Sequence, residues 1–321
     1  MRDETVALMS LRVLFVLLVA TFGGAVKSED FAEPSQVDST TAAFRAGIDI
    51  VWLNVTVTHS DQRFVSDLLE RDFTVLENGV AQPIRYFAKT GAPLSIALLL
   101  DTSGSMKAAL PIAQEAAIGF VRQIADGDLV SIVDFETRVE ISQELTDDVS
   151  ALERAINGTR VGGGTSLYNA LDLALQELTK PTPDQGRAPR RRVIIVLSDG
   201  EDTSSVVKLD QVLNRALRTD TIIYGVGLGL GRQPTNSPDG ESGELILRRL
   251  AQQTGGRAFF TDDANELARF YGRIRDELAN QYSLAYEFAG VRDGKWRRLD
   301  VRVDRPNTTA RTRAGYFGGA Q

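Results

Sequence analysis

The chain has 321 residues, 43% of them hydrophobic, with 36 basic and 43 acidic side chains, a net charge of −7 and no cysteine. That length and apolar content supply one sizeable α/β core and a smaller module. The lack of cysteine excludes disulfides, thiolate catalysis and a cysteine-linked lipid anchor, and the acidic balance without a long basic run argues against a nucleic-acid partner. The one basic cluster, Arg187 to Arg192, is interrupted by Ala188 and Pro189 and reads as a solvated loop.

In chain order, the first feature is the apolar run Leu11 to Ala20, too short to span a bilayer comfortably, followed by the small residues Gly23, Gly24 and Ala25. It reads as a secretory signal over residues 1–25, cleaved after about Ala25, with no membrane span left once it is removed. Asp3 and Glu4 do not suit a positive leader, so initiation is expected at Met9. Residues 26–47, rich in Ser, Thr, Asp and Ala, read as a flexible linker. Residues 48–91 then carry short β-rich runs, Val51 to Val57, Phe73 to Leu76 and Ile84 to Phe87, with Glu77-Asn78-Gly79 as a tight turn.

From Pro93 the pattern alternates strand and helix. Strands are predicted at Ile96 to Leu100, Leu129 to Phe135, Val139 to Leu145, Val193 to Leu197, Ile222 to Val226 and Ala258 to Thr261. Helical spacing marks Ile112 to Ile124 with Pro111 in the first turn, Leu167 to Leu175, and Leu267 to Leu278. Such alternation predicts a doubly wound, mainly parallel sheet with helices on both faces. The short connection between Asp134 and Val139 predicts one antiparallel edge strand. Past the last helix, Tyr282 to Phe288 and Trp296 to Val303 alternate like two strands joined around Asp293-Gly294. Neither they nor the early strands can be stable alone, so the two ends of the chain are expected to meet in one small β module, residues 281–321 packing with 48–91.

The chemistry is concentrated where apolar strands end. Asp101, Ser103 and Ser105 follow the fully apolar Ala97 to Leu100, a strand of the kind buried on both faces, and open α/β sheets bind ligands just beyond the carboxyl ends of such strands. The alternation Asp-x-Ser-x-Ser brings one carboxylate and two hydroxyls to a common point, which reads as a metal site. Gly162-Gly163-Gly164-Thr165 adds a hydroxyl on a glycine loop, and Val193 to Leu197 followed by Ser198 and Asp199 repeats the strand-then-Asp pattern. In a parallel sheet the three loops open on one edge. Glu201 and Asp202 read as solvated turn residues, and the polar stretch Gly229 to Gly240 on the same edge is a candidate for shaping partner specificity.

These residues resemble the von Willebrand factor A domain family, whose metal-ion-dependent adhesion site is built from Asp-x-Ser-x-Ser, a distant Thr and a distant Asp. The matching positions are Asp101, Ser103, Ser105, Thr165 and Asp199. The resemblance covers residues 92–280. Asp72 to Gly79, Gly255 to Phe260, Tyr282 to Tyr286 and Arg313 to Tyr316 look like a bacterial, exported, von Willebrand factor A related family with no established biochemical activity.

The resemblance implies hydroxyls that coordinate directly, carboxylates acting largely through water or hydrogen bonds, and an open position for a partner's carboxylate. Mg²⁺, with Mn²⁺ or Ca²⁺ as substitutes, suits such an oxygen-only set. The expected partner is therefore a protein or other macromolecule offering an acidic side chain, met in the periplasm, at the cell surface or outside the cell. Enzyme readings are weaker: the sole histidine, His59, lies in the N-terminal β segment, and there is no Gly-x-Ser-x-Gly or phosphate-binding Gly-x-x-x-x-Gly-Lys loop. The alternatives to an adhesion protein are a metal-assisted hydrolase and a structural component of the envelope.

Overall fold

The computed structural model describes residues 49–89, 92–181, 190–229, 242–288, 290–291 and 293–319. The expected leader and linker, and all of the expected specificity loop except Gly229, lie outside the described residues.

The first four strands are β1 (Ile50–His59), β2 (Phe73–Glu77), β3 (Val80–Gln82) and β4 (Ile84–Ala88). Residues Val51, Leu53, Val55 and Val57 alternate along β1 and are all buried, the period-two pattern of a strand with one face on a core. β2 and β3 are joined by Asn78 and Gly79, with φ of 49° and 84°, the left-handed pair that a two-residue hairpin turn of matching twist requires.

The α/β portion follows as β5 (Leu94–Asp101), α1 (Leu110–Val121), β6 (Leu129–Phe135), β7 (Val139–Thr146), α2 (Val149–Gly158) and α3 (Leu167–Glu177). It continues with β8 (Arg191–Ser198), α4 (Leu209–Arg218), β9 (Thr221–Leu228), α5 (Gly243–Thr254), β10 (Ala258–Thr261) and α6 (Leu267–Ala279). The sheet order is β10-β9-β8-β5-β6-β7, parallel throughout except for the antiparallel edge strand β7. β5 sits in the middle, and all eight of its residues are buried. Its even-numbered residues Ile96, Leu98 and Leu100 pack with α1, α2 and α6, whereas Ala97 and Leu99 pack with α3, α4 and α5 on the other face. A strand so placed must be apolar at consecutive positions, which is why the run before Asp101 is uninterrupted.

The remaining strands are β11 (Tyr282–Glu287), β12 (Trp296–Val303), β13 (Thr308–Arg311) and β14 (Gly315–Phe317). They complete two antiparallel sheets, β13-β1-β11-β4 and β14-β12-β2-β3, so both ends of the described chain build one β module. The expected hairpin between Tyr282 to Phe288 and Trp296 to Val303 is not formed. β11 pairs with β1 and β4, and β12 pairs with β2 and β14, so the segment around Asp293-Gly294 crosses from one sheet to the other. The physical reason is burial: each strand has an inward apolar row, and facing rows from two sheets enclose a core that a lone hairpin leaves open. Glu77 ties the sheets together, accepting hydrogen bonds from the Tyr286 and Tyr316 hydroxyls at 2.6 Å each.

The β module is joined to the α/β portion by a buried polar network. The Glu277 carboxylate on α6 accepts from the Tyr224 hydroxyl of β9 at 2.6 Å, from Thr56 of β1 at 3.4 Å and from the Arg311 guanidinium of β13. Arg190, Arg191 and Arg192, expected in a solvated loop, are instead consumed by structure. Their guanidinium groups donate to backbone carbonyls, Arg190 to Leu94, Arg191 to Ala92 and Leu278, and Arg192 to Leu178 and Thr219. Carbonyls left over where strands begin and helices end need donors, and a long cationic side chain reaches them.

Candidate functional site

Because β5, β6 and β8 are parallel, the segments after them emerge on one edge of the sheet. Asp101 is the last residue of β5 and is 1% exposed, and Ser103 is 2% exposed. The Asp101 Oδ1 accepts the Ser103 backbone N–H at 2.9 Å, closing a tight turn that brings the next two hydroxyls forward. Ser103 Oγ and Ser105 Oγ are 3.0 Å apart. Asp101, Ser103 and Ser105 are thus one cluster.

The two other loops are bonded to that turn through the backbone. Gly162 N–H donates to the Thr102 carbonyl at 2.8 Å, and Gly104 N–H donates to the Gly163 carbonyl at 3.1 Å. Gly163 packs so closely on Glu136 and Thr137 that a β-carbon there would overlap both side chains, which accounts for the glycine run. Thr165, 5% exposed, is clamped in turn by the third loop. Its carbonyl accepts the Thr203 and Ser204 N–H groups at 2.9 and 3.0 Å, and its own N–H donates to Thr203 Oγ1 at 2.9 Å. Asp199, half-buried, heads that third loop and accepts the Glu201 N–H at 3.1 Å. All five residues singled out in the sequence therefore lie in three loops zipped to one another on one sheet edge.

Burial, together with the neighbouring Asp199 charge, pushes the Asp101 carboxyl up from 3.8 to about 6, against the pull of its bonds to Ser103 and Ser198. Burial followed by Asp199 also raises Glu201.

Several supporting residues were not read from the sequence. Ser198, the last residue of β8, donates to Asp101 Oδ2 at 2.6 Å and accepts the Gly200 N–H at 3.0 Å, linking two loops through one hydroxyl. Its position beside Asp199, at the end of a strand neighbouring β5, was the available signal. Asp202, expected as a solvated turn residue, is 3% exposed. It accepts from the Tyr168 N–H at 3.3 Å and the Ser205 hydroxyl at 2.6 Å, so it caps α3 from outside that helix. Ser166, at the cap position itself, donates to the Thr137 carbonyl instead. Gly200, with φ of 76°, lies so close to α5 that a β-carbon would sit 2.5 Å from the Gly243 carbonyl oxygen.

His59 is at the end of β1 in the β module. Ser60 Oγ and Asp61 Oδ1 both approach its Nδ1, at 3.3 and 3.4 Å, so this imidazole does not bridge a hydroxyl to a carboxylate through its two nitrogens. Among the described residues no three His, Cys, Asp or Glu side chains cluster as a metal site, so any cation here relies on hydroxyl ligands as well.

A doubly wound α/β domain with hydroxyl and carboxylate loops on its carboxyl edge defines the class, and comparison with known proteins gives the family. The chain belongs to the von Willebrand factor type A domain family, whose model matches residues 95–273. It is 32% identical over 195 residues to an uncharacterized protein of Synechocystis sp., covering 59% of this chain and 42% of that one. It is 27% identical over 221 residues to calcium-activated chloride channel regulator 1 of Bos taurus, covering 65% and 22%. The chain therefore spans less than half the length of these relatives. A solved von Willebrand factor type A structure from Catenulispora acidiphila is similar with a TM-score of 0.49 and 14% identity, over 84% of this chain and 74% of that one. Domains of this family typically mediate protein–protein interaction. Among the described residues no helix is long and apolar enough to cross a membrane.

Proposed function

We propose that this is an exported protein that binds another macromolecule through a divalent cation, Mg²⁺ by preference, held by Asp101, Ser103, Ser105, Thr165 and Asp199. The partner supplies a carboxylate to an open coordination position. The observation that carries this reading is the Ser103 Oγ to Ser105 Oγ separation of 3.0 Å beside a buried carboxylate. Adjacent oxygens of an octahedral Mg²⁺ shell, roughly 2.0–2.1 Å from the ion, lie about 2.9 Å apart, so the two hydroxyls already have the spacing of neighbouring ligands. The donors are all oxygens, which suits a hard cation. Only two are charged, which leaves the ion positive enough to attract an incoming carboxylate.

The chain's own residues would do two things. Asp101, fixed by Ser103 N–H and Ser198 Oγ, holds the charge in place. The serines and Thr165 offer neutral ligands, and the outer half of the shell is left to solvent or partner. Export is supported by the apolar run Leu11 to Ala20 and the small residues after it.

The test is capture from an envelope extract in Mg²⁺, followed by elution with chelator. Partner release by chelator, lost in an Asp101→Ala variant, supports the reading. Capture that survives chelation would assign the cation a purely structural role, and turnover of a captured substrate would make the protein a hydrolase.

A further inference from the structure

A cleft of about 360 Å³ lies between the α/β portion and the β module, away from the cation loops and at the small end of the range for ligand sites, ~300–1,000 Å³. One wall is α4, where Asp210, Leu213, Asn214 and Leu217 recur at the spacing that places them on one helix face. A second wall is α5, with Arg249 and Gln253 about one turn apart. The third is Trp296, the first residue of β12. These walls are pinned to one another. The Ala314 N–H donates to the Gln253 carbonyl at 3.0 Å, and the Arg218 guanidinium of α4 lies 4.8 Å from the centre of the Phe317 ring on β14.

Of the chain's two tryptophans, Trp296 is the more exposed, at 40%. Its indole is fixed from the sheet side. Phe317, its cross-strand partner, meets it edge-on at a ring distance of 5.2 Å, and a β-carbon on Gly315 would lie 2.5 Å from its Cζ2. The indole therefore rests on a bare glycine, in space that any side chain there would take. A large aromatic plane immobilised by the sheet and still open to solvent is a preorganised stacking platform.

The polar groups around that platform select the class of ligand. Arg249 Nη2 donates to Asp210 Oδ1 at 2.9 Å, so the two charges compensate each other within the cleft. Asn214 and Gln253 add side-chain amides, each both donor and acceptor, which make no hydrogen bond among the described residues. A methylated cation would call for an uncompensated carboxylate beside the aromatic ring, and an anion for an uncompensated guanidinium. The complement of this lining is instead a neutral ring with an apolar C–H face for the indole and hydroxyls around its edge that donate and accept together. That is the chemistry of a pyranose. We propose that the cleft between α4, α5 and β12 binds a neutral sugar unit of a glycan, stacked on Trp296 and hydrogen-bonded by Asn214, Gln253 and the Asp210–Arg249 pair.

The test is calorimetric titration of the full chain with four neutral trisaccharides of different hydroxyl pattern: chitotriose, cellotriose, maltotriose and mannotriose. The cationic, de-N-acetylated form of chitotriose and the anionic trigalacturonate are the charged counterparts. Saturable binding of at least one neutral trisaccharide is expected, equal in Mg²⁺ and in chelator and at least about tenfold tighter than either charged one. Trp296→Ala should weaken it about tenfold or more. The double variant Asn214→Ala, Gln253→Ala, which alters no buried residue, should weaken it by a similar factor with an unchanged Tm. In Trp52→Phe, which leaves Trp296 as the sole tryptophan, the same trisaccharide should still bind and should shift the emission. Binding of no neutral trisaccharide, or binding no tighter than that of a charged one, overturns the proposal. Loss of binding in chelator, or binding untouched by the Asn214 and Gln253 substitutions, overturns it as well.

Discussion

Replacing Asp101 by Asn is expected to make the metal-free protein more stable at pH 7 while abolishing its response to Mg²⁺. The folded-state value of about 6 stands roughly two units above the 3.8 of an unperturbed carboxyl, so holding Asp101 ionised at pH 7 costs about 3 kcal/mol. Asn carries no charge and keeps Oδ1 for the Ser103 N–H. Its amide would face Ser198 Oγ, which already accepts from Gly200, so the Ser198 hydroxyl proton loses its acceptor, at a cost of about 1 kcal/mol. The net gain is about 1–2 kcal/mol, a few degrees in Tm for a protein of this size. Wild type should gain about 2.7 kcal/mol at a Mg²⁺ concentration 100 times Kd, whereas the variant gains nothing. Thermal unfolding of both proteins with chelator and with Mg²⁺ reads this directly: the order of the two Tm values should reverse on adding the ion. A variant less stable than wild type in chelator, or one stabilised equally by Mg²⁺, refutes the reasoning.

Other expectations follow from the same geometry. With a folded value near 6 and an unfolded value of 3.8, the native metal-free chain holds an extra proton between those limits, so its stability declines as pH rises through that window. Mg²⁺ needs the ionised form, so calorimetry should find affinity about tenfold weaker at pH 5 than at pH 7. Glu277→Ala takes the acceptor from the Tyr224 hydroxyl proton and the counter-charge from the Arg311 guanidinium, and urea unfolding should show a loss of about 3–5 kcal/mol. Gly200→Ala places a β-carbon 2.5 Å from the Gly243 carbonyl oxygen at a φ of 76°, which should cost on the order of 1–3 kcal/mol. Because that turn carries Asp199, Mg²⁺ affinity measured by calorimetry should fall with it.

The parallel sheet was legible because a strand buried on both faces must be continuously apolar, and β5 and β8 are. The edge strand β7 was legible from the short link after β6. Helices α2, α4 and α5 went unmarked, although Leu209, Leu213 and Leu217 repeat on α4 at the same four-residue spacing as Leu167, Leu171 and Leu175 on α3 and bury one face. β13 and β14, four and three residues long, carry too little pattern to be seen, and their positions are set by β1 and β12. Alternation in β11 and β12 reported an inward face on each strand but not which sheet would receive it.

At the site, Asp101, Ser103 and Ser105 could be singled out as an Asp-x-Ser-x-Ser pattern directly after an apolar strand, Thr165 as a hydroxyl on a glycine loop, and Asp199 as a carboxylate following a second apolar strand. Ser198, Thr203 and Asp202 could not, because their partners Asp101, Thr165 and Tyr168 are set by tertiary contact. Asp202 in particular looks like any turn carboxylate until α3 is placed beneath it.

The central claim, a divalent cation held by these five residues, is tested most directly by titrating Mn²⁺ into the chain at pH 7.5 and following water-proton relaxation, with Mg²⁺ as competitor. One saturable site displaced by Mg²⁺, lost in Asp101→Ala and weakened in the double variant Ser103→Ala, Ser105→Ala, is the expected result. The same saturable site in wild type and Asp101→Ala, or no saturable site in wild type, would contradict it.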